Sequence, residues 1–300
     1  MTTRIFIDGE AGTTGLGIRH RLESLPAHYG FELLHIDPAQ RKDPQARRDL
    51  MRQADITVLC LPDDAAREAV SLGEGLTRFL DASTAHRVDK NWVYGLPELT
   101  PEQSGKIRSA SHVSNPGCYS TGAIALLRPL VKSGIIPPDY PISINAVSGY
   151  SGGGHSMIEA HEREKGPAFL LYGLNLEHKH LPEITHYSGL LHRPIFVPSV
   201  GHFPQGMIVS IPLHLVNLPG FPSVEDVREV LASVYKEAKT IRVCPDQTTL
   251  TADELAGKDD MELRVHGHGG QVVLTARLDN LGKGASGAAV RNLILMSGQD

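Results

Sequence analysis

The chain opens on a rhythm of short apolar runs and amphipathic stretches. Arg4–Asp8 reads as a strand, Leu16–Leu25 as a helix, and Phe31–Asp37 as a second strand of mixed polarity, as near a sheet edge. Pro44–Ala54 fits a helix, and Ile56–Leu61 is a continuous apolar run of the kind buried parallel strands carry. Asp63 or Asp64 is placed to cap a helix over Ala65–Leu72, and Arg78–Asp81 makes a fourth strand. Strand and helix in alternation predict a parallel sheet with right-handed crossovers.

Past residue 115 the pattern changes. A helix is predicted over Tyr119–Ser133, with Ala123, Ile124, Leu126, Leu127, Leu130 and Val131 at helical spacing. Strand-like runs follow at Ile142–Val147, Met207–Leu215, Glu262–His266 and Gln271–Asp279, with a helix, Val224–Glu237, among them. This half predicts an α+β domain with a mixed or antiparallel sheet. Gly284–Met296 closes the chain as a helix, with Ala288, Ala289, Leu293 and Ile294 on its apolar face. No internal repeat and no low-complexity linker interrupts the pattern.

The first strand runs into Gly9-Glu10-Ala11-Gly12-Thr13-Thr14-Gly15 and then a helix. Glycines there let a pyrophosphate approach backbone N–H groups at a helix N-terminus, where the dipole favours negative charge. The motif alone is weak. Its place, after a first strand and opening a first helix, is the context that reads as a Rossmann-type dinucleotide-binding domain. The rival reading is a glycine-rich structural turn. Spacing leaves the dinucleotide open. Asp37 is placed to bond the ribose 2′-OH of NAD, whereas Arg41 and Lys42, with Arg47 and Arg48 in the next helix, suit the 2′-phosphate of NADP.

Composition narrows the partners. Hydrophobic residues make up 41% and charged residues 21% of the 300, which is ordinary for a globular chain. The net charge of −5 comes without a basic stripe, so neither a nucleic-acid clamp nor a polybasic membrane anchor is expected. No apolar run approaches the roughly 18 residues of a membrane span. The first residues carry no signal-peptide core, and three cysteines make no disulfide framework, so a reducing cytoplasm is expected.

The cysteines differ. Cys60 lies inside an apolar strand and Cys244 beside Pro245, both as small packing residues. Cys118 follows the turn Ser114-Asn115-Pro116-Gly117 and stands at the start of the Tyr119–Ser133 helix. A thiol there feels the positive end of the dipole, which stabilises thiolate. Thiolate chemistry beside a nicotinamide points to one reaction class: sulfur attacks a carbonyl carbon and hydride moves to or from it.

Ser114-Asn115-Pro116-Gly117-Cys118-Tyr119-Ser120-Thr121, together with Gly9–Gly15, resembles the N-acetyl-γ-glutamyl-phosphate reductase family, closest to its shorter form. Supporting segments are Asp81–Arg87, Ser148–Gly154, His178–Ile184 and Asp279–Gly287, and the likeness covers nearly the whole chain. The resemblance implies NADPH-dependent reduction of an acyl phosphate to a semialdehyde in arginine biosynthesis, through a Cys118 thioester. Aspartate-semialdehyde dehydrogenase is a more distant relative with the same chemistry. The likeness favours NADP over NAD. It implies cofactor contacts at Gly9, Gly12, Thr13, Thr14, Gly15, Arg41, Lys42, Ser83, Asn280, Lys283 and Gly284. Substrate contacts are implied at Asn115, Ser148, Ser151, Gly152, Gly153, His180 and Glu183. It also makes the nucleotide domain discontinuous, 1–115 with 280–300, around a catalytic and oligomerisation domain over 116–279. A homodimer or homotetramer is implied.

A histidine should assist release of the aldehyde. His202 is the candidate and His180 its rival. Longer family members carry histidine directly after the Phe-x-Pro proline and arginine just before the glycine. This chain has Ser199 and Gln205 there, with His202 three positions later.

Two other readings compete. His178-x-His180 and His266-x-His268 have metal-ligand spacing if they lie on strands, but no third ligand converges, so no metal is expected. A non-catalytic NADP-binding protein would keep the glycine loop without needing Cys118 at a helix start.

Overall fold

The computed structural model describes residues 2–299. The chain divides into two compact units, Met1–Pro116 with Ala285–Asp300, and Gly117–Gly284. Asn280–Gly284, expected with the returning segment, therefore belong to the second unit.

The first unit is built on a parallel sheet. Its strands are β1 (Thr3–Asp8), β2 (Phe31–Leu34), β3 (Ile56–Leu59), β4 (Arg78–Asp81), β5 (Val93–Tyr94) and β6 (His112–Ser114). They stand in the order β2-β1-β3-β4-β6-β5. Helices α1 (Thr13–Glu23), α2 (Pro44–Gln53), α3 (Asp63–Gly73) and α4 (Gln103–Ser109) alternate with them. Side chains on β1 alternate between two cores, as the pleat requires. Ile5 and Ile7 meet Ile18 and Leu22 of α1 and Leu293 near the C-terminus, whereas Phe6 meets Met51 of α2 and Ala66 of α3.

Local chemistry moved several predicted boundaries. Strand β2 stops at Leu34, so Asp37 lies beyond it, its carboxylate accepting the Ala39 N–H at 2.9 Å in a turn of its own. Pro62, not an aspartate, holds the cap position of α3, because Asp63 is already helical and its carboxylate accepts from the Thr84 amide and hydroxyl.

The second unit opens with α5 (Cys118–Lys132) and holds β7 (Ser143–Gly149), α6 (Gly154–Glu162), β8 (Phe169–Leu171), α7 (Leu181–Ser188), β9 (Ile195–Gly201) and β10 (Met207–His214). It continues with α8 (Val224–Val234), β11 (Ile241–Val243), β12 (Met261–His268) and β13 (Gln271–Leu278). Its mixed sheet has the order β11-β12-β13-β10-β7-β9-β8. Helix α5 packs on β10 and β13 between α7 and α8, burying Leu126, Leu127 and Leu130 against Val209, Ile211 and Leu274. The chain then makes one π turn over Gly282–Ser286 before the last helix, α9 (Gly287–Met296). His178 and His180 are not on a strand: His180 is the cap residue of α7, whose Pro182 has no N–H to lose in the first turn.

Candidate active site

In the first unit the glycine loop is shaped by close backbone approach. Gly9 has φ +89°, and a Cβ there would lie 2.3 Å from the Cys60 carbonyl oxygen. A Cβ on Gly15 would press to 2.8 Å on the backbone of Gly9 and Glu10. Gly12 is the cap residue of α1 and offers no side chain, and no acidic residue occupies the first turn, which begins at Thr13, Thr14 and Gly15. The nearby Glu10 carboxylate is instead held by Arg19 at 2.7 Å. A bare helix start of this kind suits a pyrophosphate, so these residues fit a dinucleotide.

Arg41 and Lys42 are exposed on the turn after β2. Arg47 is not available to a phosphate: it is buried and grips Asp8 at 2.8 and 3.0 Å. Burial still pushes the Asp8 carboxyl above its ordinary value, against the pull of Arg47. Nothing in the local sequence distinguishes Arg47 from its basic neighbours; only its helical face does.

Ser83 and Asn115 have structural partners. Ser83 donates to Asp81 at 2.7 Å, and the same carboxylate oxygen lies 2.6 Å from His86 Nδ1. The Asn115 amide donates to the Ala285 carbonyl at 3.0 Å and accepts from Asn292 at 3.1 Å. The Asn115 bonds tie the end of β6 to the last helix, whereas the Asp81 bonds brace the turn after β4.

In the second unit Cys118 is the first residue of α5, after Gly117, which caps without a side chain. The Gly117 N–H donates instead to the Glu183 carboxylate at 3.2 Å, and Glu183 is only 1% exposed. Glu183 therefore serves the turn that leads into Cys118. Gly284 lies against Cys118, where an added Cβ would stand 2.8 Å from the cysteine Cβ. At Cys60, by contrast, burial, then the Asp81 and Asp8 carboxylates, push the thiol far up, which disfavours thiolate.

A ring cluster flanks this helix start. Tyr119 has ring centroids 5.8 Å from His178, 5.9 Å from His180 and 5.3 Å from Phe196, and its hydroxyl donates to the Ser199 carbonyl at 2.9 Å. Burial pushes the Tyr172 phenol to about 12 and that of Tyr119 still higher, so both stay neutral. Neither tyrosine stood out as functional in the sequence, since each looks like a core aromatic. His180 is 4% exposed. His202 is elsewhere: it is exposed, its Nδ1 lies 3.1 Å from the Gly166 carbonyl, and its ring is 5.4 Å from that of His161.

Residues 148–154 are less loop-like than expected. Ser148 and Gly149 end β7, Tyr150–Gly153 form a 3₁₀ turn, and Gly154 begins α6. Ser148 is buried and donates to the Gly149 carbonyl, while Gly152 and Gly153 are exposed. Ser151 accepts from the Asn280 amide at 2.9 Å, and Lys283 donates to Thr240 at 2.7 Å. Asn280 and Lys283, implied as cofactor contacts, thus have partners within their own unit. Among the described residues no group of three His, Cys, Asp or Glu is close enough to hold a metal.

Family models match both units. Residues 11–107 match the NAD binding domain of semialdehyde dehydrogenase, and residues 118–280 match its dimerisation domain. Fold and site thus define a protein of the semialdehyde dehydrogenase class. The chain is also 52% identical over 313 residues to the N-acetyl-gamma-glutamyl-phosphate reductase of Brucella suis, covering 100% of both chains. It belongs to the N-acetyl-gamma-glutamyl-phosphate reductase family. The fold is shared with aspartate semialdehyde dehydrogenase from Francisella tularensis (TM-score 0.73, 13% identity, 98% of this chain and 100% of that one). Aspartate semialdehyde dehydrogenase II from Vibrio cholerae also shares it (TM-score 0.70, 15% identity, 99% and 98%).

Proposed function

We propose that this chain reduces N-acetyl-γ-glutamyl phosphate to N-acetylglutamate 5-semialdehyde and phosphate, with NADPH as reductant and Cys118 as nucleophile. The observation that carries the reading is Cys118 as first residue of α5, in a chain 52% identical end to end to a named reductase. The Cys118 thiolate attacks the γ-carbonyl carbon, the carbonyl electrons move to oxygen, and their return expels phosphate and leaves a thioester. First-turn N–H groups of α5 are the donors for that oxyanion. NADPH, when bound, supplies the hydride that takes the acyl carbon to the aldehyde level. Release then breaks the carbon–sulfur bond while a proton leaves the hydroxyl. His180 is favoured over His202 as the base, because His180 is buried against Tyr119, the neighbour of the nucleophile.

The dinucleotide lies on the Gly9–Gly15 loop and the start of α1. NADP is preferred over NAD because Arg41 and Lys42 are exposed after β2, while the Asp37 carboxylate is turned to its own backbone. The exposed Gly152 and Gly153 amides serve an anionic end of the substrate, together with Ser148. The second unit pairs with another copy, and that reading rests on the dimerisation-domain match. The three cysteines form no disulfide among the described residues, which fits a reducing cytoplasm, and the likeness to the named reductase favours a place in arginine biosynthesis.

The test is phosphate- or arsenate-dependent NADP reduction with N-acetylglutamate semialdehyde, run beside aspartate semialdehyde. The first should be strongly preferred. Preference for the second overturns the substrate assignment.

A further inference from the structure

Gln205 stands where the longer family members carry arginine, and it has no role in the chemistry above. Its amide Nε2 donates to Asp279 Oδ2 at 2.6 Å. Asp279 is fully buried, and the same oxygen accepts the Gly257 N–H at 2.7 Å. Its other oxygen takes the Leu281 N–H at 3.1 Å. The next residue repeats the pattern, since the Gly206 N–H donates to Asn280 Oδ1 at 2.7 Å. Residues 205 and 206 thus hold residues 279 and 280 by two parallel bonds.

What they hold bears on the nucleophile. The Asp279 carbonyl accepts the Gly284 N–H at 2.9 Å, closing the turn that sets Gly284 against Cys118. The approach leaves no room for a side chain: a Cβ on Gly284 would come within 2.8 Å of the Cys118 Cβ and 3.0 Å of the Asp279 oxygen. The turn also lies close to the backbone at Gly282, where an added Cβ would meet the Lys258 carbonyl at 2.2 Å. Asp279 and Cys118 are thus connected through Gly284, by a backbone bond on one side and close packing on the other.

We infer that Gln205 is a positioning residue for the nucleophile, acting through Asp279 and Gly284 on the placement of Cys118. The role needs a hydrogen-bond donor at position 205 and nothing else. Arginine there would satisfy Asp279 equally well, by a charge-assisted bond. A carboxylate of the same shape would face Asp279 at hydrogen-bond distance with no proton to give.

The inference rests on Cys118 as nucleophile, and the experiment separates the two. Gln205→Glu, Gln205→Arg and Cys118→Ala are assayed for kcat and KM, and the first two for the rate of Cys118 alkylation by iodoacetamide, with melting followed alongside. Gln205→Glu should lose about tenfold or more in kcat, because small misplacements of reacting groups cost up to about a hundredfold, while KM changes little. Its alkylation rate should shift in parallel, and Gln205→Arg should keep both close to the parent. If Gln205→Glu melts early, Gln205→Met, which keeps the length but not the donor, carries the same comparison. Unchanged kcat and alkylation in the donor-less variant, or loss in Gln205→Arg equal to that in Gln205→Glu, overturns the inference. Turnover surviving in Cys118→Ala overturns the nucleophile assignment instead.

Discussion

Two helix starts in this chain look alike in sequence and are finished differently. Both α1 and α5 follow a strand and a glycine-containing turn, and both are capped by a glycine that contributes no side chain. At α1 the surroundings withdraw: Glu10 is turned to Arg19, Asp8 to Arg47, and the first turn carries no acidic residue. At α5 the surroundings close in, with the Glu183 carboxylate on the Gly117 N–H and the Gly284 backbone against Cys118. A helix N-terminus is one electrostatic device with two uses. Left bare, it receives a ligand's phosphates; packed tightly, it fixes a thiol and the amides beside it.

The largest expected effect is at the packed start. Cys118→Ala should lower turnover by about 10⁴-fold or more, as loss of a nucleophile does. NADP affinity, read by fluorescence titration, should stay unchanged, and a parallel loss of affinity would blur the distinction between the two starts. His180→Gln should cost about 10²-fold in kcat, the usual share of a general acid or base, and the same change at His202 far less. A reversed ranking in steady-state kinetics would return the role to His202.

At the bare start the effects are on binding and folding. Gly9→Ala places a Cβ 2.3 Å from the Cys60 oxygen at φ +89°, and should cost about 2 kcal/mol in denaturant unfolding. Gly12→Ala, whose Cβ meets nothing nearer than 3.5 Å, should melt like the parent and still bind NADP more weakly. Equal melting of both variants would contradict the shape assigned to the loop.

Arg47→Met removes the partner of a buried carboxylate and should cost on the order of 3 kcal/mol. Because burial raises the folded-state pKa of Asp8 above its unfolded value, the folded protein holds the proton more tightly. Stability of the variant should therefore be greatest in acid and fall as pH rises through and above the ordinary aspartate range. The opposite slope in a melting series would show Asp8 to be stabilised as an anion by something besides Arg47.

The smallest effect separates Asp63 from Asp8. Burial raises Asp63 too, but the Thr84 hydroxyl and amide, with Arg67 and Arg87, outweigh it and hold the carboxyl below its ordinary value. Its contribution is present above the unfolded-state pKa and lost as pH falls through the lowered folded one. Asp63→Asn should flatten that acid limb slightly, and an unchanged limb would remove Asp63 from it.

The strand–helix alternation of residues 3–81 was legible because each run is long enough to show its period. What escaped was short or disguised. Strands β5 and β6 have two and three residues, and β9 carries Pro198, which has no N–H to give a ladder and so argues against a strand flanked on both sides. In the site, the glycine loop and the Pro-Gly-Cys turn could be read because their requirements are local. Glu183 is 66 residues from the amide it accepts, and Gln205 is 74 from Asp279; no spacing rule reaches that far. Ser83 and Asn280 sit in motifs, yet their hydroxyl and amide are taken by the fold itself.

By itself the sequence determined which segments could be helix or strand, that a bare loop follows the first strand, and that one cysteine stands at a helix start. These follow from backbone sterics and periodicity, which act over a few residues. Only the tertiary structure decided which basic side chain is consumed by Asp8, which histidine is buried beside the helix that Cys118 begins, and which backbone packs against that cysteine. Those outcomes depend on side chains brought together from distant parts of the chain, where burial and partner geometry, not residue type, set the role.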